Sequence, residues 1–209
     1  MQQRFFKYAG IAASVMLIAF GIGCVATGIS GRSTVHGNLA AEQITGTADM
    51  TPAAIAAEAR AAGLRNVSLP TCSVAGQTVD TGARARCFAS YMRVHALEAS
   101  GGQTYSQMGQ YLTAQGKQTD DKAAAAIDPK TKQPVANAAR NLWVTETALT
   151  TALNTSYFAE SVSLFALLMG IALLLTGIGL LVLTVRWIRE PSGERRVLAT
   201  SPPVARAAV

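Results

Sequence analysis

The chain has 209 residues, enough for one modest domain with accessory segments, and half of them are hydrophobic. Charged residues make up 14%, well below the about 25% of an average soluble domain, because two stretches hold almost no charge. Residues 31–160 contain 11 basic and 10 acidic side chains, so the net charge of +6 belongs to the ends of the chain and does not predict a nucleic-acid partner.

The first uncharged stretch runs from Tyr8 to Ser30, 23 residues without Asp, Glu, Lys or Arg. A helix needs about 20 such residues to cross a hydrocarbon core of about 30 Å. The core helix of a soluble protein would show a polar face, and this stretch shows none. The pattern therefore predicts a transmembrane helix at 8–30, after a short cytoplasmic N-terminus at 1–7.

Two other interpretations fit this stretch. A basic start before an apolar run, here Arg4 and Lys7, is also typical of a signal peptide, although the run is long and no convincing cleavage site follows it. The tetrapeptide GIGC at 21–24 resembles a lipoprotein cleavage box, except that Gly21 replaces the usual large aliphatic residue. Lipidation of Cys24 stays open, and a small residue packed inside a helix is the simpler interpretation.

Short helices and loops are predicted after this span. Residues 31–50 show no helical period and are interpreted as extended or loop. Thr51 followed by proline is typical of a helix start and predicts a helix at 51–62. Apolar residues at helical spacing indicate a second helix at 85–100.

The next segment carries two local signals. Thr104 and Gln107 have the spacing of a capping box, which predicts another short helix. Residues 113–134 are polar and alanine-rich, with glycine and proline among them, and are interpreted as a mobile surface loop.

Cys72 and Cys87 both fall in the central segment. A pair of cysteines in an oxidising compartment indicates a disulfide. A bridge across this spacing would stabilise the fold by about 3 kcal/mol if it acts through the entropy of the unfolded chain. Two buried free thiols are the alternative.

A long helix is predicted at the end of the chain. Between Pro134 and Arg189 there is no proline, and no glycine occurs before Gly170. The simplest interpretation is one helix of roughly 55 residues, whose outer third forms a stalk above the membrane. Its uncharged part, 161–185, has 25 residues and predicts the second transmembrane helix.

A seven-residue repeat runs along this helix. Its positions are Val135, Leu142, Leu149, Ser156, Ser163, Gly170, Gly177 and Thr184. Ser14, Gly21 and Gly28 repeat in the same way in the first span. Small residues let membrane helices approach closely, and a seven-residue spacing favours a left-handed supercoil. We therefore expect Ser14, Gly21, Gly28, Ser163, Gly170 and Gly177 to form a helix-packing interface, within one chain or across a dimer.

The distribution of basic residues predicts the orientation in the membrane. Those on the cytoplasmic side would be Arg4, Lys7, Arg186, Arg189, Arg195 and Arg196. The outer flanks hold only Arg32, so the positive-inside rule places both termini in the cytoplasm. Residues 186–209 form a basic tail with three prolines, which is predicted to be disordered. Glu160, at the outer edge of the second span, is expected to face headgroups or water.

Candidate chemistry is sparse. His95 and Glu98 are one helical turn apart and Tyr91 lies on the same side, so with Tyr105 they form a weak candidate ligand site. A solvated pair on a helix explains the His95–Glu98 spacing as well. A metal site normally needs three or four ligands, and the sequence shows neither such a set nor a known catalytic motif. We therefore predict no catalytic residue, no metal site and no cofactor.

Three segments resemble a family of small actinobacterial membrane proteins of uncharacterised function. They are LAAEQITGTADMTPAAI (39–55), CFASYMRVHALEASGGQTYSQMG (87–109) and ANAARNLWVTETALTTALNTSYFAE (136–160). The resemblance covers most of residues 8–185 and implies a place in the cytoplasmic membrane of a high-GC Gram-positive bacterium. Such proteins often carry the label of a small subunit of an aromatic ring-opening dioxygenase. That activity requires iron held by histidine and carboxylate ligands, and we expect no such set here.

The sequence thus predicts an all-α membrane protein in which two transmembrane helices flank a mostly helical extracytoplasmic domain at 31–160. The leading hypothesis for function is a non-enzymatic accessory, assembly or scaffold subunit that contacts lipid and a membrane-protein partner or a second copy. The alternative is a module that senses an envelope ligand and signals through the helix pair.

Overall fold

A computed structural model describes residues 2–189, with side chains from Tyr8 onward. The predicted disordered tail at 190–209 lies outside the described residues. So do the side chains of Arg4 and Lys7, as well as Arg195 and Arg196, on which part of the orientation argument depends.

The described chain is mostly helical. Its helices are α1 (Gln2–Ala41), α2 (Pro52–Ala61), α3 (Gly82–Ala99) and α4 (Ala138–Arg189), with a short 3-10 helix at Tyr105–Gln107. Strands β1 (Tyr111–Leu112) and β2 (Gln118–Thr119) pair antiparallel. The predicted helices at 51–62, 85–100 and 134–189 are all present, with small differences at their ends.

Two helices of the described residues are long and apolar enough to cross a membrane, Tyr8–Ala41 within α1 and Ala138–Arg189. Only 11% of the most apolar window of each is buried. Helix α4 can run for 52 residues because no proline interrupts it. By contact, the described residues divide into an apolar unit (2–27 and 166–189) and a second unit (28–165). We call the second one the central unit.

The prediction that residues 31–50 are extended or loop is wrong for 31–41, where α1 continues to Ala41. Gly31 and Gly37 disfavour a helix intrinsically, but Leu39 is buried and Val35 packs against the same hydrophobic core. Tertiary packing therefore overrides local propensity here.

The core of the central unit forms between α2, α3 and the parts of α1 and α4 that belong to this unit. Its largest fully buried apolar side chains are those of Ile55, Val74, Val79, Tyr91 and Val94. Thr51 caps α2 through a hydrogen bond from Ala54 N, and Thr81 caps α3 in the same way. These caps satisfy backbone donors that a helix start would otherwise leave unpaired.

The segment interpreted as a mobile loop contains regular structure. Strand β2 lies within 113–134, and Leu112 hydrogen-bonds to both Val135 and Ala126 through its backbone. The predicted capping box at Thr104 is present, since its backbone N–H donates to Gln107 at 2.7 Å. The hairpin adds a small β element that the all-α prediction did not include.

The positions of the predicted seven-residue repeat of α4 differ in burial between the apolar unit and the central unit. In the apolar unit Gly170, Gly177 and Thr184 are buried. In the central unit Leu142 is 40% exposed, so this position of the predicted seam is wrong. The buried residues there are Trp143, Glu146 and Leu153. The reason is that this part of α4 packs against the cores that contain α3.

Candidate functional site

Glu58 and His95, side chains of types that can bind a metal ion, lie at the edge of the contact between α2 and α3. Ile55 and Ala59 of α2 are buried in the same core as Val94 of α3. Glu58 directly precedes Ala59, and His95 directly follows Val94. The register of this apolar contact therefore places the Glu58 carboxylate beside the His95 imidazole.

Asp49 completes the group from the loop before α2. Nε2 of His95 lies 3.4 Å from Oδ2 of Asp49 and 3.5 Å from Oε2 of Glu58. One ligand atom from each residue lies within 4.8 Å of the other two. All three side chains are partly exposed, at 28% for His95, 38% for Asp49 and 32% for Glu58. We call these three residues the His95 cluster.

The His95 ring nitrogen in this cluster has unused bonding capacity. Nε2 itself is buried, and among residues 2–189 it has no hydrogen-bond partner. Its distances to the two carboxylates exceed the about 2.7–3.2 Å of N–H···O hydrogen bonds. A hydrogen bond from the Thr47 side chain lowers the pKa of Asp49, and burial opposes this shift. Asp49 is therefore held as an anion facing the imidazole.

The structure separates the other residues of the predicted ligand site from His95. Tyr91 is fully buried and its hydroxyl donates a 2.6 Å hydrogen bond to the carbonyl of Cys72; burial raises the pKa of this phenol. Glu98 is exposed on α3. The Arg140 guanidinium lies over the ring of Tyr105, with its Cζ atom 4.1 Å from the ring centroid of Tyr105. These contacts give Tyr91 and Tyr105 structural roles.

The predicted disulfide between Cys72 and Cys87 is present, with Cα atoms 6.1 Å apart. It links the loop before α3 to the first turns of α3. Together with the Tyr91 hydrogen bond to Cys72, it fixes the loop against the helix that carries His95. Cys24 is the free cysteine.

A second polar cluster surrounds Glu160 of α4. Its carboxylate accepts hydrogen bonds from Nε2 of His36 at 2.9 Å and from the backbone N–H of Gly82 at 2.6 Å. Nε of Arg32 forms an ion pair with it at 3.2 Å. The side chain of Glu160 is only 15% exposed, so the expectation that it faces headgroups or water is wrong. The helical extension of α1 carries Arg32 and His36 to it.

These contacts hold Glu160 in its charged form. Burial raises the pKa of the carboxyl, but the hydrogen bonds from His36 and Gly82 and the charges of His36 and Arg32 outweigh it and lower the pKa overall. A carboxylate at the first residue of α3 also complements the positive end of the helix dipole. Glu160 therefore connects α1, α3 and α4 within the central unit.

The helix-packing residues of the apolar unit lie in close contact. A Cβ atom on Gly170 would lie 2.7 Å from Val25 N, and one on Gly21 would lie 2.9 Å from Gly170 O. Gly177 is equally confined, with Ile18 Cγ1 2.8 Å from such an atom. Ser14 is fully buried and donates to the Gly10 carbonyl.

The two remaining packing residues fall in the central unit. Gly28 is buried. Ser163 is half-buried, and its hydroxyl lies 2.5 Å from where a Cβ atom on Gly31 would be. Small residues thus allow α1 and α4 to approach closely in each unit.

Comparison of the chain with protein-family models, with curated proteins and with solved structures finds no match.

Sequence reasoning found His95 but missed Asp49 and Glu58. The expectation that no set of histidine and carboxylate ligands assembles needs correction, because one imidazole and two carboxylates meet at the His95 cluster. The helices at 52–61 and 82–99 could be predicted from the sequence. Which of their polar residues become neighbours is decided by how the two helices pack on each other.

Proposed function

We propose that this chain is a two-pass protein of the bacterial cytoplasmic membrane with both termini in the cytoplasm and residues 31–160 outside. We further propose that it acts without catalysis, as an accessory, assembly or scaffold subunit of a membrane complex. The alternative is an envelope-ligand sensor.

The membrane location is supported by the surface of the apolar unit. Large apolar side chains project outward from both long helices. They include Val15, Met16, Phe20, Ile22, Leu168, Met169, Leu175, Ile178, Val182 and Leu183, each at least 42% exposed. In water such a surface would drive aggregation, whereas lipid tails satisfy it.

The orientation is supported by charge and by covalent chemistry. Arg186 and Arg189 occupy the last turn of α4, as the positive-inside rule requires of a cytoplasmic end. The Cys72–Cys87 disulfide fits an oxidising space beyond the membrane. Both observations favour an exported central unit.

The proposed role in interaction with another membrane protein is supported by an apolar groove along α1. Ala19, Gly23 and Thr27 recur every four residues and, with Phe20 and Cys24, line a groove of about 390 Å³. An added Cβ atom on Gly23 would meet nothing within 4 Å. Ala166 of α4 completes the lining of the groove. Gly21 packs on α4 whereas Gly23 does not, and small-residue faces of this kind allow a further membrane helix to approach closely.

The membrane topology can be tested with single cysteines in a background that lacks Cys24. Cysteines at exposed positions Ser106 and Lys117 in the central unit should react with an impermeant maleimide in intact cells. One introduced at Ser192 should react only after lysis. Reaction of Ser192→Cys in intact cells, or protection of both outer positions, would contradict the proposed orientation.

The interaction role can be tested at the groove. The tagged protein is purified from native membranes in mild detergent, and the stoichiometry of what accompanies it is measured. Gly23→Leu fills the groove, while Ile22→Leu alters an exposed apolar neighbour and serves as the control. We expect a stoichiometric membrane partner or second copy that is lost only in Gly23→Leu. A monomeric wild type, or equal recovery in both variants, would contradict the scaffold role.

The His95 cluster favours the alternative function, an envelope-ligand sensor that signals through its transmembrane helices. Its side chains are polar and partly exposed, as a ligand contact requires. A sensor should lose its response on substitution of His95 or of exposed polar residues near Tyr105 while the stability of the fold is retained. A scaffold should instead respond to Gly23→Leu.

A further inference from the structure

We propose that Asp49, Glu58 and His95 bind one divalent first-row transition-metal ion, with zinc as the most suitable occupant. The inference is independent of the scaffold role, because it depends on different residues in the central unit.

The spacing of the ligand atoms carries the proposal. Around a tetrahedral ion with bonds of about 2.0–2.1 Å, ligand atoms lie roughly 3.3–3.4 Å apart. Nε2 of His95 lies 3.4 Å from Oδ2 of Asp49 and 3.5 Å from Oε2 of Glu58. These two separations are too long for good hydrogen bonds and match those between ligands of a shared ion. The ligand atoms of Asp49 and Glu58 lie within 4.8 Å of each other.

The state of the His95 nitrogen is a second and independent observation. Nε2 is shielded from solvent, and within residues 2–189 nothing hydrogen-bonds to it. A buried imidazole nitrogen without a partner loses the free energy of its bond to water. Coordination of a cation by the neutral ring restores that interaction at the nitrogen to which Oδ2 of Asp49 and Oε2 of Glu58 lie closest.

The electrostatics of the group also favour a cation. Two carboxylate oxygens lie within 4.8 Å of one another, and like charges at this distance repel. A divalent ion between the two carboxylates replaces that repulsion with attraction.

The donor set selects the class of metal. One imidazole with two carboxylates suits zinc and its neighbours, whereas calcium and magnesium prefer oxygen ligands alone. Three protein ligands leave a fourth position of a tetrahedral ion free. All three side chains are partly exposed, and we expect a water molecule to fill that position. The ion would connect α2 and the loop before it to α3.

The test uses the full chain in mild detergent with a tag that contains no histidine. After chelator treatment and removal of the chelator, zinc chloride is titrated in a calorimeter. The wild type should bind about one zinc ion per chain with tetrahedral-type visible absorption when cobalt replaces zinc. His95→Ala, Asp49→Asn and Glu58→Gln should each weaken binding at least about a hundredfold, more than loss of an outer-sphere contact does.

Two variants provide matched controls. His36→Asn removes the other histidine, which also faces a carboxylate, and Glu98→Gln removes an exposed carboxylate one turn from His95 on the same helix. Both should bind zinc as the wild type does. The near-isosteric Asp49→Asn and Glu58→Gln keep the test valid if His95→Ala fails to fold. Zinc binding that is absent in the wild type, or that is equal in the wild type and in folded cluster variants, would overturn the proposal.

Discussion

The backbone N–H of Gly82 donates a 2.6 Å hydrogen bond to Oε2 of Glu160, 78 residues further along the chain. Gly82 is the first residue of α3, so the Glu160 carboxylate lies at the positive end of that helix. The same carboxylate also accepts a hydrogen bond from His36 and forms an ion pair with Arg32, both residues of α1. One side chain thereby joins three helices whose sequences give no local sign of their association.

Replacement of Glu160 by glutamine should destabilise the central unit. Glutamine keeps the size of the side chain but loses the charge that attracts Arg32 and His36, and hydrogen bonds to a charged group contribute about 1.5–3 kcal/mol. We expect a decrease of about that size in the free energy of unfolding at neutral pH. Denaturant unfolding in mild detergent, followed by fluorescence of the buried Trp143, measures it. Glu98→Gln, at an exposed carboxylate, should change little; an equal loss in both variants would contradict the role of Glu160.

The contribution of Glu160 should also depend on pH. Its pKa is lower in the folded protein than the ordinary value of 4.5, so the unfolded chain binds the proton more readily. The stabilisation is therefore complete above about pH 4.5 and is lost as the pH falls from there through the lower folded pKa. The difference in unfolding free energy between the wild type and Glu160→Gln should shrink across that range. A difference that stays constant down to pH 3 would contradict this linkage.

Gly82→Ala should disrupt the contact between α3 and α4. A Cβ atom there would lie 2.7 Å from both Tyr157 Cα and Glu160 Oε2, so the start of α3 must move. We expect a loss of about 1–3 kcal/mol, the usual cost of overpacking. Gly37→Ala is the control, because Gly37 is also helical and nothing lies within 4 Å of an added Cβ. That change should be neutral or stabilising by up to about 1 kcal/mol. Equal effects at both sites would show that the close approach has no importance.

The sequence predicted the elements better than their contacts. The uncharged runs were sufficient to find the two long apolar helices, α1 and α4. The positions of proline and glycine and the helical spacing of apolar residues were sufficient to find α2 and α3. The extension of α1 to Ala41 was missed because Gly31 and Gly37 weaken the local signal, while Val35 and Leu39 gain their stability from packing on distant residues. Packing of this kind is a tertiary effect and leaves little trace in a window of sequence.

The candidate site shows the same limit. His95 was recognised as a ligand-type residue, but its sequence neighbours Tyr91 and Glu98 point elsewhere. Its partners Asp49 and Glu58 are brought to it by the apolar contact of α2 with α3. The disulfide was more accessible to sequence reasoning, because only two cysteines fall in the central segment. Two separated carboxylates among ten acidic residues in 31–160 offered no such restriction.

Gly170→Ala should loosen the helix pair of the apolar unit. The added Cβ atom would lie 2.7 Å from Val25 N, and close backbone approach is the main attraction between helices in lipid. The half-buried thiol of Cys24, next to Val25, should then react faster with a maleimide in detergent. Gly179→Ala is the control, since nothing lies within 4 Å of a Cβ atom there. Unchanged labelling of Cys24 in Gly170→Ala would contradict this packing.

Glu146→Met should stabilise the central unit. Glu146 is 2% exposed, and Oε1 has no hydrogen-bond partner among the described residues, while Oε2 accepts only a 3.3 Å bond from the adjacent Thr147. A buried carboxylate with so few contacts does not recover its lost hydration, so an apolar side chain of similar length is favoured by about 1–3 kcal/mol. The same unfolding measurement tests this, with Glu98→Met as the exposed control. A loss of stability in Glu146→Met alone would show that the buried carboxylate has a partner on which the fold depends.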